Sequence, residues 1–212
     1  MEEKRSCKPL GFWNYTVVVT YIGMLLSVIG VFVAMSGKYV LSAILLMIAG
    51  GCDMVDGAIA STMKRTRAEK DFGIQIDSLC DLISFGVLPG MFTYAIMGKT
   101  TFATITACVF ILCALVRLAY FNVLEAERQL QTEGKREKYL GIPVTSVSVV
   151  LPLLTILYAA NILKTGLVFA IALYVLSIGF LAPITIKKPG NSGKVVFAII
   201  GAIELALLII LG

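Results

Sequence analysis

Histidine is absent from the 212 residues, and charged residues make up only 15% of them. The first absence removes imidazole from every metal site and acid–base role, which excludes histidine-built zinc or copper centres and histidine-dependent catalysis. The second falls well short of the roughly 25% charged residues of an average soluble domain. Hydrophobic residues supply 58% instead, the composition of a membrane protein. The five cysteines, Cys7, Cys52, Cys80, Cys108 and Cys113, have no metal-binding or disulfide spacing. Four of them lie inside apolar runs, where a cysteine reads as a small packing residue. There is no internal repeat of the helix set and no low-complexity tract.

Apolar runs of about 20 residues can cross a bilayer as helices. Seven are present: Tyr15 to Met35, Tyr39 to Ser61, Phe72 to Met97, Thr100 to Val123, Ile142 to Ile162, Thr165 to Ile184 and Val195 to Leu211. They leave almost nothing for a separate soluble domain. Pro89, about two-thirds along the third run, predicts a kink or break there. The first run is too long for the core of a signal peptide, and Met35-Ser36-Gly37-Lys38 is a poor cleavage site. The expected fold is therefore all-α, a polytopic helical bundle.

The net charge of +5 is not a nucleic-acid signal, because of where the charges fall. Lys4, Arg5 and Lys8 precede the first run; Lys64, Arg65, Arg67 and Lys70 follow the second. Arg128, Lys135, Arg136 and Lys138 follow the fourth, and Lys187, Lys188 and Lys194 follow the sixth. The opposite side carries only Lys38, Lys99 and Lys164. By the positive-inside rule the N-terminus and the three long loops are expected in the cytoplasm, with the C-terminus outside.

Against this background, four carboxylates in "DMVDGAIASTMKRTRAEKDFGIQIDSLCD", residues 53 to 81, need a reason. One carboxylate at membrane depth costs roughly 2.5 to 3.5 kcal/mol on the lenient insertion scale, so four uncompensated ones cost on the order of 10 kcal/mol. Asp53 and Asp56 are three apart and Asp77 and Asp81 four apart, which places each pair on one helix face. At about 1.5 Å per residue, Asp53 and Asp56 lie roughly 12 and 8 Å inside Ser61, and Asp77 and Asp81 roughly 9 and 15 Å inside Asp71. The two helices run antiparallel, so Asp56 is expected to face Asp77, and Asp53 to face Asp81. Repulsion within such a cluster calls for a cation, and an all-oxygen set suits magnesium, manganese or calcium. Four carboxylates suffice for two ions sharing ligands, the arrangement that clamps both ends of a phosphoryl displacement. A purely structural or proton-relay cluster fits the same spacing. Gly57 and Gly73 leave bare backbone beside the cluster, as close approach of a phosphate ligand requires.

The pattern Asp53-x-x-Asp56-Gly57-x-x-Ala60, then Gly73-x-x-x-Asp77-x-x-x-Asp81, resembles the signature of the CDP-alcohol phosphotransferases. The resemblance implies transfer of a phosphatidyl or related group from a CDP-linked donor to an alcohol with release of CMP. It further implies two divalent cations, Mg2+ or Mn2+, held by Asp53, Asp56, Asp77 and Asp81, with Asp81 as catalytic base, in a bundle that is usually a homodimer. Gly57, Ala60 and Gly73 would lie at the cytidine end of the donor. Two departures stand out: Ser61 occupies the place of the family's arginine, and eleven residues rather than eight separate it from Gly73. Lys64, Arg65 or Arg67 in the longer loop is a candidate for that arginine's contact; ordinary topogenic charge is the alternative. The last run exceeds the family's six-helix core and reads as an added C-terminal helix, in which Glu204 is unexplained. This divides the chain into a cytoplasmic segment 1–14, the transferase domain 15–188, and a linker with the added helix, 189–212.

Three further stretches, "DSLCDLISFGVLPG" (77 to 90), "VRLAYFNV" (116 to 123) and "YLGIPVTSVSVVLP" (139 to 152), are similar to the phosphatidylserine synthase branch, from about residue 10 to residue 188. That branch makes phosphatidylserine from CDP-diacylglycerol and L-serine, which makes membrane lipids and serine the expected partners. Arg117 is the only basic residue inside an apolar run, level with the aspartates, and needs an anion: an aspartate, a substrate carboxylate or a lipid phosphate. Asn122, Thr145 and Ser146 lie at similar depth and read as acceptor-pocket or helix-contact groups. Other acceptors, glycerol 3-phosphate or an inositol phosphate, share the donor chemistry but call for several basic groups. A divalent-cation transporter would also bury carboxylates, but with polar groups in both halves of the membrane.

Overall fold

The structure, a computed structural model, describes residues 11–60, 62–131, 138–187 and 191–211. Ser61 lies outside the described residues, as do Lys4, Arg5, Cys7, Lys8, Lys135, Arg136 and Lys188. Each apolar run becomes a helix: α1 Tyr15–Met35, α2 Tyr39–Ala60, α3 Arg67–Ile96, α4 Thr101–Gln131, α5 Val144–Ala159, α6 Leu167–Leu181 and α7 Asn191–Leu211. The first four are long and apolar enough to cross a bilayer, whereas α5, α6 and the apolar part of α7, Ala198–Leu211, are shorter. The chain is thus an all-α helical bundle of an integral membrane protein. Its only sheet among the described residues is an antiparallel pair, Lys138–Leu140 with Thr185–Lys187, which joins the connections flanking α5 and α6.

Two features of α3 differ from the sequence expectation. The helix starts at Arg67, before the apolar run, because Thr66 and Glu69 form a capping box. The irregularity at Pro89 is not a break. Residues Leu82–Val87 widen into a π-helical turn, in which the Leu88 N–H bonds the Ile83 carbonyl. Proline lacks an N–H and its ring collides with the carbonyl four residues back, so a turn closed at five residues keeps the rod continuous.

Close crossings hold the bundle. A Cβ on Gly23 of α1 would stand 3.2 Å from Cys52 Cβ on α2, and one on Gly50 of α2 would stand 2.8 Å from Ser148 Oγ on α5. Small residues let these backbones approach, which is the main packing device where lipid supplies no hydrophobic drive between helices. Phe85, Phe92, Phe110 and Phe169, all fully buried, fill the centre around α3, α4 and α6. The last helix, α7, packs on α5 and α2. Its Glu204 is buried there, and Oε2 has no hydrogen-bond partner among the described residues.

Candidate active site

The antiparallel α2 and α3 bring the four aspartates together with the pairing expected from their depths. The carboxyl of Asp53 meets that of Asp81 at hydrogen-bonding range, and Asp56 meets Asp77 in the same way. One oxygen each from Asp53, Asp56 and Asp77 lies within 4.8 Å of the others. Asp81, one turn deeper on α3, reaches this group through Asp53.

The residues fit a hard divalent cation. Two carboxyl–carboxyl contacts bring like charges together, so a cation or a shared proton must separate them. The spacing of the Asp53, Asp56 and Asp77 oxygens is one that metal–oxygen bonds of about 2.0–2.6 Å can bridge.

A hydroxyl on the first helix also belongs to the site. Thr20 Oγ1 donates to Asp56 Oδ2 at 3.0 Å, and Asp56 is only 8% exposed. A small cavity behind the carboxylates is lined by Thr20, Cys52, Asp53, Asp56, Asp81 and Ser84, and Ser27 Oγ donates to Ser84 Oγ at 2.8 Å. The sequence does carry a signal for this face: Thr20, Gly23, Ser27 and Gly30 form a stripe of small and hydroxyl residues at helical spacing. Ligand-orienting partners of this kind typically contribute about 10–100-fold in metal affinity. Thr20→Val is accordingly expected to weaken Mn2+ binding by about that factor, with recovery in Thr20→Ser; equal Mn2+ titrations of wild type and Thr20→Val by electron paramagnetic resonance would remove Thr20 from the site.

The other candidates separate clearly. Gly57, exposed on α2, faces open space, and Ala60 ends that helix. Gly73 does not lie bare: Arg65 Nη1 stands 3.1 Å from where its Cβ would be. Arg65 Nε is buried and has no hydrogen-bond partner among the described residues, whereas Lys64 and Arg67 are exposed. Among the three basic residues offered by the loop, the structure thus brings Arg65 to the carboxylate helix, one turn before Asp77.

Arg117 on α4 is buried, with its Cζ 4.4 Å from the centre of the Phe121 ring, and its charge acts on Asp81. Asn122, one turn on, joins α4 to α3: Ser78 Oγ donates to Asn122 Oδ1 at 2.7 Å, and Asn122 Nδ2 donates to Gln75 Oε1 at 3.3 Å. Thr145 and Ser146 form the 3-10 turn that opens α5 and packs against the π turn following Asp81. Ser146 Oγ donates to the Pro143 carbonyl at 2.7 Å, and the Thr145 carbonyl accepts from Ser148 Oγ at 2.7 Å.

Residues 13–181 match the family model described as CDP-alcohol phosphatidyltransferase. Among curated relatives, a Saccharomyces cerevisiae CDP-diacylglycerol–serine O-phosphatidyltransferase is 35% identical over 139 residues, 64% of this chain and 48% of the yeast protein. The Methanocaldococcus jannaschii protein of the same name is 29% identical over 158 residues, covering 74% of this chain and 68% of its own. An archaetidylserine synthase of Methanothermobacter thermautotrophicus is 32% identical over 130 residues, 61% of this chain and 50% of that protein. The match therefore spans about half the length of the yeast relative.

Proposed function

Since the chain belongs to the CDP-alcohol phosphatidyltransferase family, we propose that it transfers the phosphatidyl group of CDP-diacylglycerol to L-serine, giving phosphatidylserine and CMP. The observation that carries this reading is the pairing of Asp53 with Asp81 and of Asp56 with Asp77, on successive turns between α2 and α3. The names of the yeast and Methanocaldococcus relatives support serine as the acceptor.

Asp53, Asp56, Asp77 and Asp81 would hold two divalent cations, Mg2+ or Mn2+. When bound, these neutralise charge on the diphosphate and the leaving CMP. The chain's own groups divide the remaining work. Gly57, Ala60, Lys64, Arg65 and Gly73 bound the donor's nucleotide end, with Arg65 supplying the planar cation suited to phosphate. Ser61 completes that set on the basis of the motif alone. Arg117 receives the serine carboxylate beside Asp81, and Asn122, Thr145 and Ser146 border the same pocket. Asp81 accepts the proton of the serine hydroxyl as its oxygen bonds to the lipid-side phosphorus and the phosphorus–oxygen bond to CMP breaks. The clustering of basic residues supports an N-terminus and site facing the cytoplasm, with the C-terminus outside. The protein acts as a homodimer, by analogy with the family.

The test is a purified protein supplied with CDP-diacylglycerol, Mg2+ or Mn2+, and L-serine, glycerol 3-phosphate or an inositol phosphate in turn. CMP and phosphatidylserine are expected with serine alone. Equal CMP release with a phosphorylated acceptor would reassign the acceptor, and ion flux without CMP release would replace the enzyme reading altogether. In the same assay Arg117→Ala is expected to raise the KM for serine by roughly 10–100-fold, the equivalent of losing charge-assisted hydrogen bonds, with the donor KM near normal. Unchanged serine dependence would take Arg117 out of the acceptor site.

A further inference from the structure

We infer that residues 11–16 are a clamp that positions Arg65 over the donor side of the site. The inference rests on the donor reading above, but its geometry stands apart from it.

Four attachments tie this segment to the loop between α2 and α3 and to the first turns of α3. The Phe12 ring meets Phe72 edge-on, with centroids 5.5 Å apart. Gly11, at φ +109, brings the backbone to the same ring, its Cβ position 3.5 Å from Phe72 Cζ. Tyr15 and Thr62 share a hydroxyl–hydroxyl hydrogen bond of 2.9 Å. Asn14 makes the fourth contact: its Oδ1 accepts from Thr16 Oγ1, which leaves the amide nitrogen to donate to Glu69.

Glu69 is the junction. Its carboxylate accepts from the Thr66 N–H at 2.8 Å and from Thr66 Oγ1 at 2.9 Å, which closes the cap of α3, and it also interacts with the charge of Arg65. The segment leading into α1, with that helix's first residue Tyr15, thus grips the capping carboxylate, the loop at Thr62 and the α3 face at Phe72, on both sides of Arg65 in sequence. Arg65 itself lies against Gly73, which Phe72 precedes directly.

Such holding is needed because an arginine side chain loses much rotamer freedom when fixed, and this loop is longer than the family pattern. Placement errors near 1 Å are enough to change rates strongly. A loop released from residues 11–16 would keep its charge but lose its register over Gly73. Phe12, Asn14 and Tyr15 are therefore positioning residues that act through Arg65.

Two readouts on the full chain test this. In the CMP assay, Phe12→Ala combined with Tyr15→Phe is expected to raise the KM for CDP-diacylglycerol on the order of tenfold, with kcat and the KM for serine nearly unchanged, while Phe12→Leu retains normal values. Independently of turnover, the same double variant is expected to be cut faster by trypsin after Lys64, Arg65 and Arg67, with the peptides read by mass spectrometry. An unchanged cleavage rate overturns the clamp. Faster cleavage with an unchanged donor KM overturns its role in placing Arg65, as does a uniform loss of kcat with a lowered unfolding temperature. Wild-type protein that never releases CMP would sink the donor reading and the functional half of the inference, while the trypsin result would still decide the contact itself.

Discussion

Asp81→Asn is expected to lower CMP release by about 10²–10⁴-fold, the range associated with losing a positioned acid–base group. Asparagine has nearly the same volume as aspartate but cannot take up the acceptor's proton, and it brings no charge to a cluster of carboxylates. Its amide can still donate to Asp53, the neighbour that Asp81 meets in the structure. The variant should therefore remain folded while turnover collapses, and an unchanged unfolding temperature in detergent separates the two effects. Asp71→Asn is the control, because Asp71 is exposed near the start of α3 and outside the cluster. Near-normal turnover in Asp81→Asn would remove Asp81 from the base role, and an equal loss in Asp71→Asn would show that the assay reads charge near the membrane rather than the site.

Gly141→Ala should give the largest loss of stability of any single methyl added to a glycine described here. Gly141 holds φ +70, and a Cβ there would stand 2.9, 3.0 and 3.2 Å from the carbonyl oxygens of Phe180, Gly179 and Ala182. These are backbone atoms at the end of α6, which cannot rotate away as a flexible side chain would. The same residues are tied by hydrogen bonds from Gly141 N–H to the Ile184 carbonyl at 2.8 Å and from Ile142 N–H to the Gly179 carbonyl at 2.9 Å. The left-handed conformation alone costs a non-glycine residue about 1–3 kcal/mol. The collision adds to it, for a total on the order of 3 kcal/mol, or roughly 6–12 °C of unfolding temperature in a chain of this size. Gly37 provides the comparison, since its φ is +80 but nothing lies within 4 Å of its Cβ position. Gly37→Ala should lose only the conformational part. Equal shifts for the two variants would mean that the contact with α6 contributes nothing.

Much of this molecule is legible in the sequence for two simple reasons. Apolar runs of bilayer length must become helices in lipid, where every backbone polar group has to be satisfied within its own segment. Carboxylates inside such runs carry a large cost, so spacings of three and four residues already place Asp53 with Asp56 and Asp77 with Asp81 on facing surfaces. The antiparallel course of α2 and α3 then fixes which aspartate opposes which.

Other features were out of reach because they depend on partners distant in sequence or on a choice between equivalent residues. Pro89 announces an irregularity, but whether the helix breaks, kinks or widens depends on its neighbours, and here the π turn absorbs it before the proline is reached. Asn122 offers an amide that would serve a substrate as well as a helix contact, and only the approach of α3 turns it toward Gln75 and Ser78. Lys64, Arg65 and Arg67 are interchangeable as charges; the loop's path over Gly73 selects Arg65.

By itself, then, the order of residues determined that the chain crosses a membrane as a helical bundle and that four aspartates converge near one surface, since both follow from local period and the cost of burying charge. Tertiary structure alone decided that Thr20 orients Asp56, that Arg65 rather than its neighbours approaches the site, and that Phe12, Asn14 and Tyr15 grip the loop beside it. The first and last of those assignments depend on side chains 36 to 60 residues apart, and the choice of Arg65 depends on how the loop folds back over Gly73, eight residues on; no local pattern encodes either, and only packing brings the groups within reach.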